Sequence, residues 1–273
     1  MNATVVVPTR DRPAALQRCL AAVAAQRNVT LDVVVVDDGS VAEAAVAAGA
    51  EGFGARLVRL EGVGPAAARN AGVAAASADR ILLLDDDCVP QPGWAETLVA
   101  AAAHAPRLVV AGTVLPPPAA TAWLRASERI ALQAEAASGF FRTLNFSCGK
   151  ELLVRIPFDE TFPTAAGEDR DWCVRAARAG ATFAREPAAV VEHRADLGAR
   201  AFFGQQLRYG RAVHLLRSRG THVPVSRGAL WRGFAEGFRE GIPVGLAMVA
   251  APVATASGYV LEKRSALSGE GRP

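Results

Sequence analysis

The sequence has 273 residues, of which about half are apolar (51%) and a fifth are charged (21%), so it can bury a full-sized hydrophobic core. Its formal net charge of +3 is too small to predict a nucleic-acid partner. Four cysteines are scattered without a CxxC pair, which indicates neither a zinc site nor a disulfide framework. The apolar run at 5–7 is too short for a signal segment, and we expect a cytoplasmic protein.

Short β-branched runs alternate with Ala-rich helical stretches over the first 115 residues. The predicted strands are 4–7, 31–36, 55–60, 80–84 and 107–112, and the predicted helices are 13–26, 65–76 and one that begins near Pro92. Strands that are almost wholly apolar and lie between helices predict a parallel sheet covered on both faces. The expected fold class is therefore α/β, with a mostly parallel sheet flanked by helices.

The proline-rich run "LPPPAAT" at 115–121 is a break in the composition of the chain, and we expect a boundary there. We expect three parts: 1–115, a less regular part at 116–196, and a helical C-terminal extension at 197–273. Within that extension, 242–261 has no charged residue and is long enough to span a membrane if it is helical. It is also rich in Ala and Gly and contains two prolines. A spanning helix, an in-plane helix on a membrane surface and a helix buried against the protein all remain open.

Acidic residues directly follow two of the predicted strands. Asp37 and Asp38 come after one strand, and Asp85, Asp86 and Asp87 come after another. In parallel sheets ligands bind beyond the carboxyl ends of the strands, so both acidic groups lie at one edge. Mg²⁺ is usually held by one or two carboxylates together with substrate phosphates. The pattern favours a metal-bridged diphosphate, and solvated turn residues that cap the following helix are the alternative.

Five segments, in order, resemble the inverting family 2 glycosyltransferases. They are "VVVPTRDRP", "VVVVDDGS", "GPAAARNAG", "ILLLDDDCVPQPGW" and "GEDRDWCVRAARAG". The resemblance extends over about 3–195. It implies a GT-A fold, a nucleotide-diphosphate sugar as donor (a UDP- or GDP-sugar) and a hydroxyl acceptor.

The resemblance assigns residues to the nucleotide pocket. It implies that Pro8, Thr9 and Asp11 line this pocket, that Asp38 faces the base or ribose, and that Arg69 contacts the nucleotide. "TRD" replaces the Tyr-Asn pair that is common after the first strand in the family, which makes the role of Asp11 less secure.

The resemblance also implies a metal site for Mn²⁺ or Mg²⁺. Asp85 and Asp87 match the ends of the family's D-x-D element, with Asp87 on the metal and Asp85 on the metal or the ribose. Because the middle residue, Asp86, is acidic as well, the sequence leaves open which two carboxylates bind. His193 in "VVEHRAD" is a candidate third ligand or diphosphate contact, and a structural histidine is the alternative.

The family's catalytic base aligns with Asp169 in "GEDRDW", beside Glu168. A carboxylate within hydrogen-bond reach can take the proton from an acceptor hydroxyl. We expect the first turn of a helix at 168–179 to keep Asp169 ionised, because the helix dipole favours anions there. The alternative is that both acids only stabilise the helix N-terminus.

The basic helical segment at 197–219 contains "QQLRYG". This run is similar to the Q-x-x-R-W element of processive polysaccharide synthases, which would place Gln205 and Arg208 on the diphosphate. A basic helix face is the alternative. A lipid-linked or cell-envelope acceptor would suit a protein at the inner face of the membrane.

Three other functions compete with glycosyl transfer. "GVGPAA" at 62–67 has the spacing of a dinucleotide-binding turn, as in an NAD-dependent oxidoreductase, but it follows the third strand, and Asp38 and the acidic triplet exceed the single carboxylate that a ribose requires. A sugar-phosphate nucleotidyltransferase would need a Gly- and Lys/Arg-rich loop after the first strand, and "PTRDRPAAL" is not one. A non-catalytic nucleotide-sugar-binding module is the third.

Overall fold

The computed structural model describes residues 1–103, 105–162, 164–221 and 227–267. The chain divides into two compact units. The sheet unit comprises Met1–Pro117 and Phe141–Arg194, and the helical unit comprises Pro118–Phe140 and Ala195–Pro273. Residues 118–140, which the sequence analysis placed in the middle part of the chain, thus group with the C-terminal helices.

Strands and helices alternate through most of the sheet unit. The strands are β1 (Asn2–Thr9), β2 (Thr30–Asp38), β3 (Arg56–Leu60), β4 (Arg80–Leu84), β5 (Cys88–Pro90), β6 (Leu108–Leu115), β7 (Asn145–Gly149) and β8 (Thr182–His193). The helices are α1 (Pro13–Ala24), α2 (Glu43–Gly52), α3 (Pro65–Ala75), α4 (Trp94–Ala101), α5 (Ala122–Ser138), α6 (Lys150–Arg155), α7 (Glu168–Arg178), α8 (Ala199–Ser218), α9 (Arg227–Glu240) and α10 (Ile242–Leu267).

The strands form one sheet in the order β3-β2-β1-β4-β7-β6-β8-β5. β1 pairs in parallel with β2 and β4, and β2 pairs in parallel with β3. β7 runs antiparallel to both of its neighbours, and β5 runs antiparallel to β8. The predicted α/β class with a mostly parallel sheet is confirmed.

The core of the sheet unit lies where α1 covers β1 and β4. Leu16, Cys19, Leu20 and Val23 are the buried residues of α1, and their helical spacing presents one apolar face to the sheet. On α3, a Cβ on Gly72 would lie 2.2 Å from Cγ1 of Val6. Only a glycine therefore lets α3 approach β1 so closely.

The helical unit has its own core, to which α5, α8 and α10 contribute Leu124, Phe202, Val244, Met248 and Ala251. A Cβ on Gly210 of α8 would lie 1.9 Å from the backbone oxygen of Thr255 on α10. The two helix backbones therefore touch, and one face of α10 is buried within this unit.

Candidate active site

The polar side chains of the site meet at the carboxyl edge of the parallel strands. β1 lies between β2 and β4, so the chain order of the strands reverses on its two sides. Such a reversal opens a crevice beyond the strand ends, where ligands bind in α/β sheets. Thr9 ends β1, Asp38 ends β2, and Asp85 follows β4. Pro8, one residue before Thr9, is partly exposed at the same edge.

Asp86 is fully buried at the centre of the triplet. Its Oδ2 accepts a hydrogen bond from Oγ1 of Thr9 at 2.6 Å, and Nη2 of Arg12 lies 3.0 Å from its Oδ1. Burial raises the pKa of Asp86 to about 7, although the charge of Arg12 opposes this shift. The middle carboxylate thus points into the protein.

Asp87 is held between the side chains of Arg12 and His193. Nη1 of Arg12 donates to its Oδ2 at 2.6 Å, and Nε2 of His193 lies 3.4 Å from its Oδ1. Its backbone oxygen accepts from the N–H of Arg194 at 2.7 Å, which ties the loop to the end of β8. Burial alone would raise the pKa of Asp87, but His193 and Arg12 lower it to about 2. Asp87 is therefore an anion beside His193.

Arg69 joins the acidic triplet to α7. Its guanidinium is buried, with Nη2 3.1 Å from Oδ1 of Asp85 and Nη1 2.9 Å from Oε1 of Glu168. The side chain of Asp85 remains 28% exposed, in contrast to the fully buried Asp86. The structure thus brings three predicted site residues together through two charged hydrogen bonds.

Asp169 follows Glu168 in the first turn of α7, after Gly167 with a φ of 91°. Its Oδ1 accepts the backbone N–H of Arg170 at 2.7 Å. Burial, and then the charge of Glu168, raise the pKa of Asp169 to about 7, against the opposing effect of Arg69. Burial and the neighbouring acid thus oppose the helix dipole, which was expected to keep this carboxylate ionised.

Asp38 is engaged by the loop before α3. Its Oδ1 and Oδ2 accept the backbone N–H groups of Val63 and Gly64 at 2.7 and 2.9 Å. These N–H groups belong to the glycine-rich turn, and a dinucleotide pyrophosphate would need them as its own hydrogen-bond donors. The structure thus supplies Asp38 with a structural task and gives the dinucleotide hypothesis no support.

Asp11 lies on the loop between β1 and α1, with a φ of 55°. Its N–H donates to Oγ of Ser40 at 2.8 Å, and its Oδ1 accepts the N–H of Val41 at 2.7 Å. Asp11 thus links the loops that follow β1 and β2 and fixes the backbone next to Arg12.

Gln205 and Arg208 lie on α8, in the helical unit. Oε1 of Gln205 accepts a hydrogen bond from Oγ of Ser127 at 2.8 Å, and Arg208 is exposed. Their predicted contact with a diphosphate stays a prediction.

The acidic edge matches the chemistry of a divalent cation. Oδ1 of Asp87 is buried with Nε2 of His193 as a neighbour at 3.4 Å, and carboxylate oxygens are the ligands that Mn²⁺ and Mg²⁺ prefer. No three His, Cys, Asp or Glu side chains of the described residues form a group that could hold a metal. This arrangement suits an ion that takes its remaining ligands from substrate phosphates.

Arg12 is the residue of this site that sequence reasoning missed. The only signal for it was its place in "PTRDRP", directly before the proline that opens α1. Nothing in the sequence shows that its side chain turns back to the triplet 75 residues later.

Comparison with known proteins assigns the chain to a family. The family model described as Glycosyl transferase family 2 matches residues 4–162. The chain belongs to this family. The match covers β1 to α6 and includes the acidic triplet and Arg69, so the resemblance inferred from five sequence segments is confirmed.

Two curated relatives of this family 2 chain carry the name pre-mycofactocin glycosyltransferase. They come from two strains of Mycobacterium tuberculosis and are each 33% identical to the chain over an alignment of 248 residues, which covers 84% of this chain. The chain spans about half (51%) of their length.

Solved structures share the fold. A mannosyltransferase from Pyrobaculum calidifontis, in complex with GDP-Man and Mn²⁺, superposes with a TM-score of 0.62 at 20% identity, over 99% of this chain and 76% of that one. Glucosyl-3-phosphoglycerate synthase from Mycobacterium tuberculosis, with Mn²⁺ and UDP, gives 0.59 at 21% identity, over 82% and 81%. The family 2 chain thus has the GT-A glycosyltransferase fold.

Proposed function

We propose that this chain transfers a sugar from a nucleotide-diphosphate sugar to an acceptor hydroxyl, with inversion at the anomeric carbon. One observation carries the proposal: Arg69 connects Asp85 of the triplet to Glu168, which is adjacent to Asp169, at the carboxyl edge of the sheet. A donor diphosphate on the triplet would therefore lie near a carboxylate suited to accept a proton. A nucleotidyltransferase or a non-catalytic binder has no use for that carboxylate.

Asp87 and Asp85 are the proposed ligands of Mn²⁺ or Mg²⁺, with His193 as a third ligand or a contact to the diphosphate. The exposure of Asp85 and the long 3.4 Å contact of Asp87 Oδ1 with His193 support this choice, and the full burial of Asp86 disfavours the middle carboxylate. When bound, the cation neutralises charge on the departing diphosphate. Thr9 positions Asp86, and Asp86 in turn orients Arg12.

Asp169 is the proposed general base. The acceptor oxygen bonds to the anomeric carbon and its proton passes to Asp169, while the bond from that carbon to the diphosphate oxygen breaks with its electron pair. A base is most effective when its pKa is near the working pH, and the raised pKa of Asp169 satisfies this condition. Glu168 contributes by raising that pKa and by holding Arg69.

The proposed donor and acceptor are based on the chemistry of the site and on what the relatives bind or are named for. Solved relatives of the same fold bind GDP-Man or UDP with Mn²⁺, which supports a GDP- or UDP-sugar as donor. Pro8, Thr9, Asp11, Asp38 and Arg69 are the proposed nucleotide-pocket residues. For the acceptor, the name of the curated relatives makes pre-mycofactocin one hydroxyl compound to test, beside lipid-linked and cell-envelope glycans.

A thermal-shift screen tests the proposal directly. UDP, GDP and their sugars, each with and without Mn²⁺, should give stabilisation by one nucleotide that depends on the metal, because bound ligand stabilises the folded state. Slow release of free sugar from the same donor should accompany it. Stabilisation without metal-dependent sugar release would instead support a binding module.

The exposed face of α10 supports a location of the enzyme on a membrane surface, namely the inner face of the cell membrane. α10 is long and apolar enough to cross a membrane, and a third of its most apolar 18-residue stretch is buried. Opposite that buried face lies a stripe of exposed apolar residues at intervals of three, four and seven: Ile242, Leu246, Val249, Val253 and Val260. Exposed Lys263 and Arg264 follow it. An apolar stripe beside cationic residues suits an anionic lipid surface.

Vesicle sedimentation tests this contact. The protein should bind phosphatidylglycerol vesicles and bind phosphatidylcholine vesicles less, and Leu246→Ser with Val253→Ser should reduce the bound fraction. Leu132→Ser, at an exposed leucine of α5, is the matched control. Equal vesicle binding by the wild type and the double variant would contradict the membrane proposal. So would a wild-type protein that binds no vesicles and instead forms a dimer that the double variant abolishes.

A further inference from the structure

Arg12 occupies the mouth of the acidic site. Its Nη1 donates to Oδ2 of Asp87 at 2.6 Å, and its Nη2 lies 3.0 Å from Oδ1 of Asp86. The Arg12 side chain is half exposed (50%), whereas the side chain of Arg69 is 5% exposed. The two cations on the triplet therefore differ: Arg69 is enclosed by two carboxylates, and Arg12 reaches the site from the solvent side.

The backbone that carries Arg12 is fixed on both sides. Asp11 is tied to Ser40 and Val41 by the hydrogen bonds described above, and Pro13 opens α1 directly after Arg12. The proline restricts the backbone, and the long Arg12 side chain retains several rotatable bonds. The guanidinium can therefore leave the carboxylates without any movement of the loop or of α1.

The guanidinium and a divalent cation would compete for the same carboxylates. Asp87 has one oxygen on Arg12 and the other 3.4 Å from His193, and the second contact of Arg12 is Asp86. A cation that binds Asp87 meets the positive charge of Arg12 at close range, and like charges at such distances repel. A diphosphate brought by that cation attracts the same guanidinium, since arginine binds phosphate oxygens through paired donors.

We propose that Arg12 is a displaceable counter-ion, and this inference rests on the proposed function. In the metal-free protein its guanidinium neutralises Asp86 and Asp87. When the metal and donor bind, it leaves Asp87 and contacts the donor diphosphate. Arg12 thus weakens binding of the bare ion and strengthens binding of the nucleotide diphosphate, so that metal and donor bind together.

Calorimetric titration of Arg12→Gln separates the two effects without turnover. Mn²⁺ alone should bind about fivefold more tightly than to the wild type, because a partly exposed ion pair no longer competes. UDP or GDP at saturating Mn²⁺ should bind about fivefold more weakly, because a phosphate contact is lost. A variant with a damaged fold would bind both ligands more weakly. A rise in the affinity for Mn²⁺ alone together with a fall in the affinity for the nucleotide therefore identifies the proposed role.

Arg18→Gln is the matched control, because Arg18 is exposed on α1 and its replacement changes the net charge equally. Both affinities should stay at the wild-type values. An Arg12→Gln protein whose affinity for Mn²⁺ alone is unchanged or lower would overturn the inference. A wild-type protein that binds Mn²⁺ neither alone nor with either nucleotide would contradict the proposed function, and this inference with it.

Discussion

Two acidic turns lie at the same edge of the sheet, and the protein uses them differently. At the end of β2, Asp37 accepts the N–H of Ser40 and pairs with Arg59, while Asp38 accepts two backbone N–H groups. After β4, the triplet is bound mainly by side chains: Thr9, Arg12, His193 and Arg69. The carboxylates of the first turn thus bind mainly backbone N–H groups, whereas those of the second turn bind mainly side chains.

The contrast separates carboxylates that are held by the backbone from carboxylates that are held by side chains. Backbone N–H groups cannot leave, so Asp37 and Asp38 hold the loops that shape the site. At the triplet, Oδ1 of Asp86 lies 3.0 Å from Nη2 of Arg12, and Oδ1 of Asp87 lies 3.4 Å from Nε2 of His193, so side chains and not backbone groups face these two buried oxygens. Substitution of an aspartate should therefore affect activity and stability differently in the two turns.

Asp87→Asn should give the largest effect. Loss of the anion removes the proposed metal ligand, and we expect metal-dependent donor hydrolysis to fall about 10³-fold, in line with the loss of a dominant electrostatic contribution. Nucleotide binding should lose its dependence on Mn²⁺ in the same calorimetric titration. Donor hydrolysis at the wild-type rate would exclude Asp87 as a ligand.

Asp169→Asn should act on transfer alone. An amide cannot accept the acceptor's proton, so transfer should fall by about 10²-fold or more, as is typical for loss of a general base. The Kd of the nucleotide at saturating Mn²⁺ should stay within twofold of the wild type, because Asp169 contributes no predicted ligand. Transfer at the wild-type rate would show that the base lies elsewhere.

The pH dependence of transfer should report the same carboxylate. Asp169 is protonated below its raised pKa of about 7 and accepts a proton only above it. With saturating donor and Mn²⁺, the rate should rise about tenfold per pH unit below 7 and level off above it. Asp169→Asn should abolish this rise, and a wild-type profile that is flat from pH 5 to 8 would contradict the assignment.

Asp37→Asn is the control from the first turn and should have the smallest effect. Asp37 is fully buried, and the amide keeps its size while losing the charge that pairs with Arg59. Urea unfolding should show a loss of about 1–2 kcal/mol. The affinity for Mn²⁺ should stay unchanged. A weaker metal site in this variant would mean that the two turns are not independent.

The sequence predicted the parts of the fold that obey simple periodicity. The apolar strands before Thr9, Asp38 and Asp85 were found, because burial on both faces gives continuous apolar runs, and so were the Ala-rich helices α1 and α3, whereas α2 was not predicted. β7 was missed: it has five residues, includes Asn145 and Ser147, and runs antiparallel between two strands distant in sequence. The grouping of α5 with the C-terminal helices also depends on contacts that are distant in sequence.

The same limit applies to the candidate site. Strand ends and motif order predicted where the carboxylates lie, and family resemblance supplied Asp169 and Arg69. The pairing of Arg69 with both Asp85 and Glu168 links residues up to 99 positions apart, which no local pattern reveals. The raised pKa of Asp169 was not predicted, because the helix dipole is visible in a sequence, whereas burial of the carboxylate is not.

Anomalous diffraction from a crystal soaked with Mn²⁺ and UDP or GDP tests the central claim most directly. We predict one manganese peak within bonding distance of Asp87 and beside Asp85, bridged to the diphosphate, with the Arg12 guanidinium turned away from Asp87. A nucleotide bound in the crevice with no manganese peak at residues 85–87 would contradict the account.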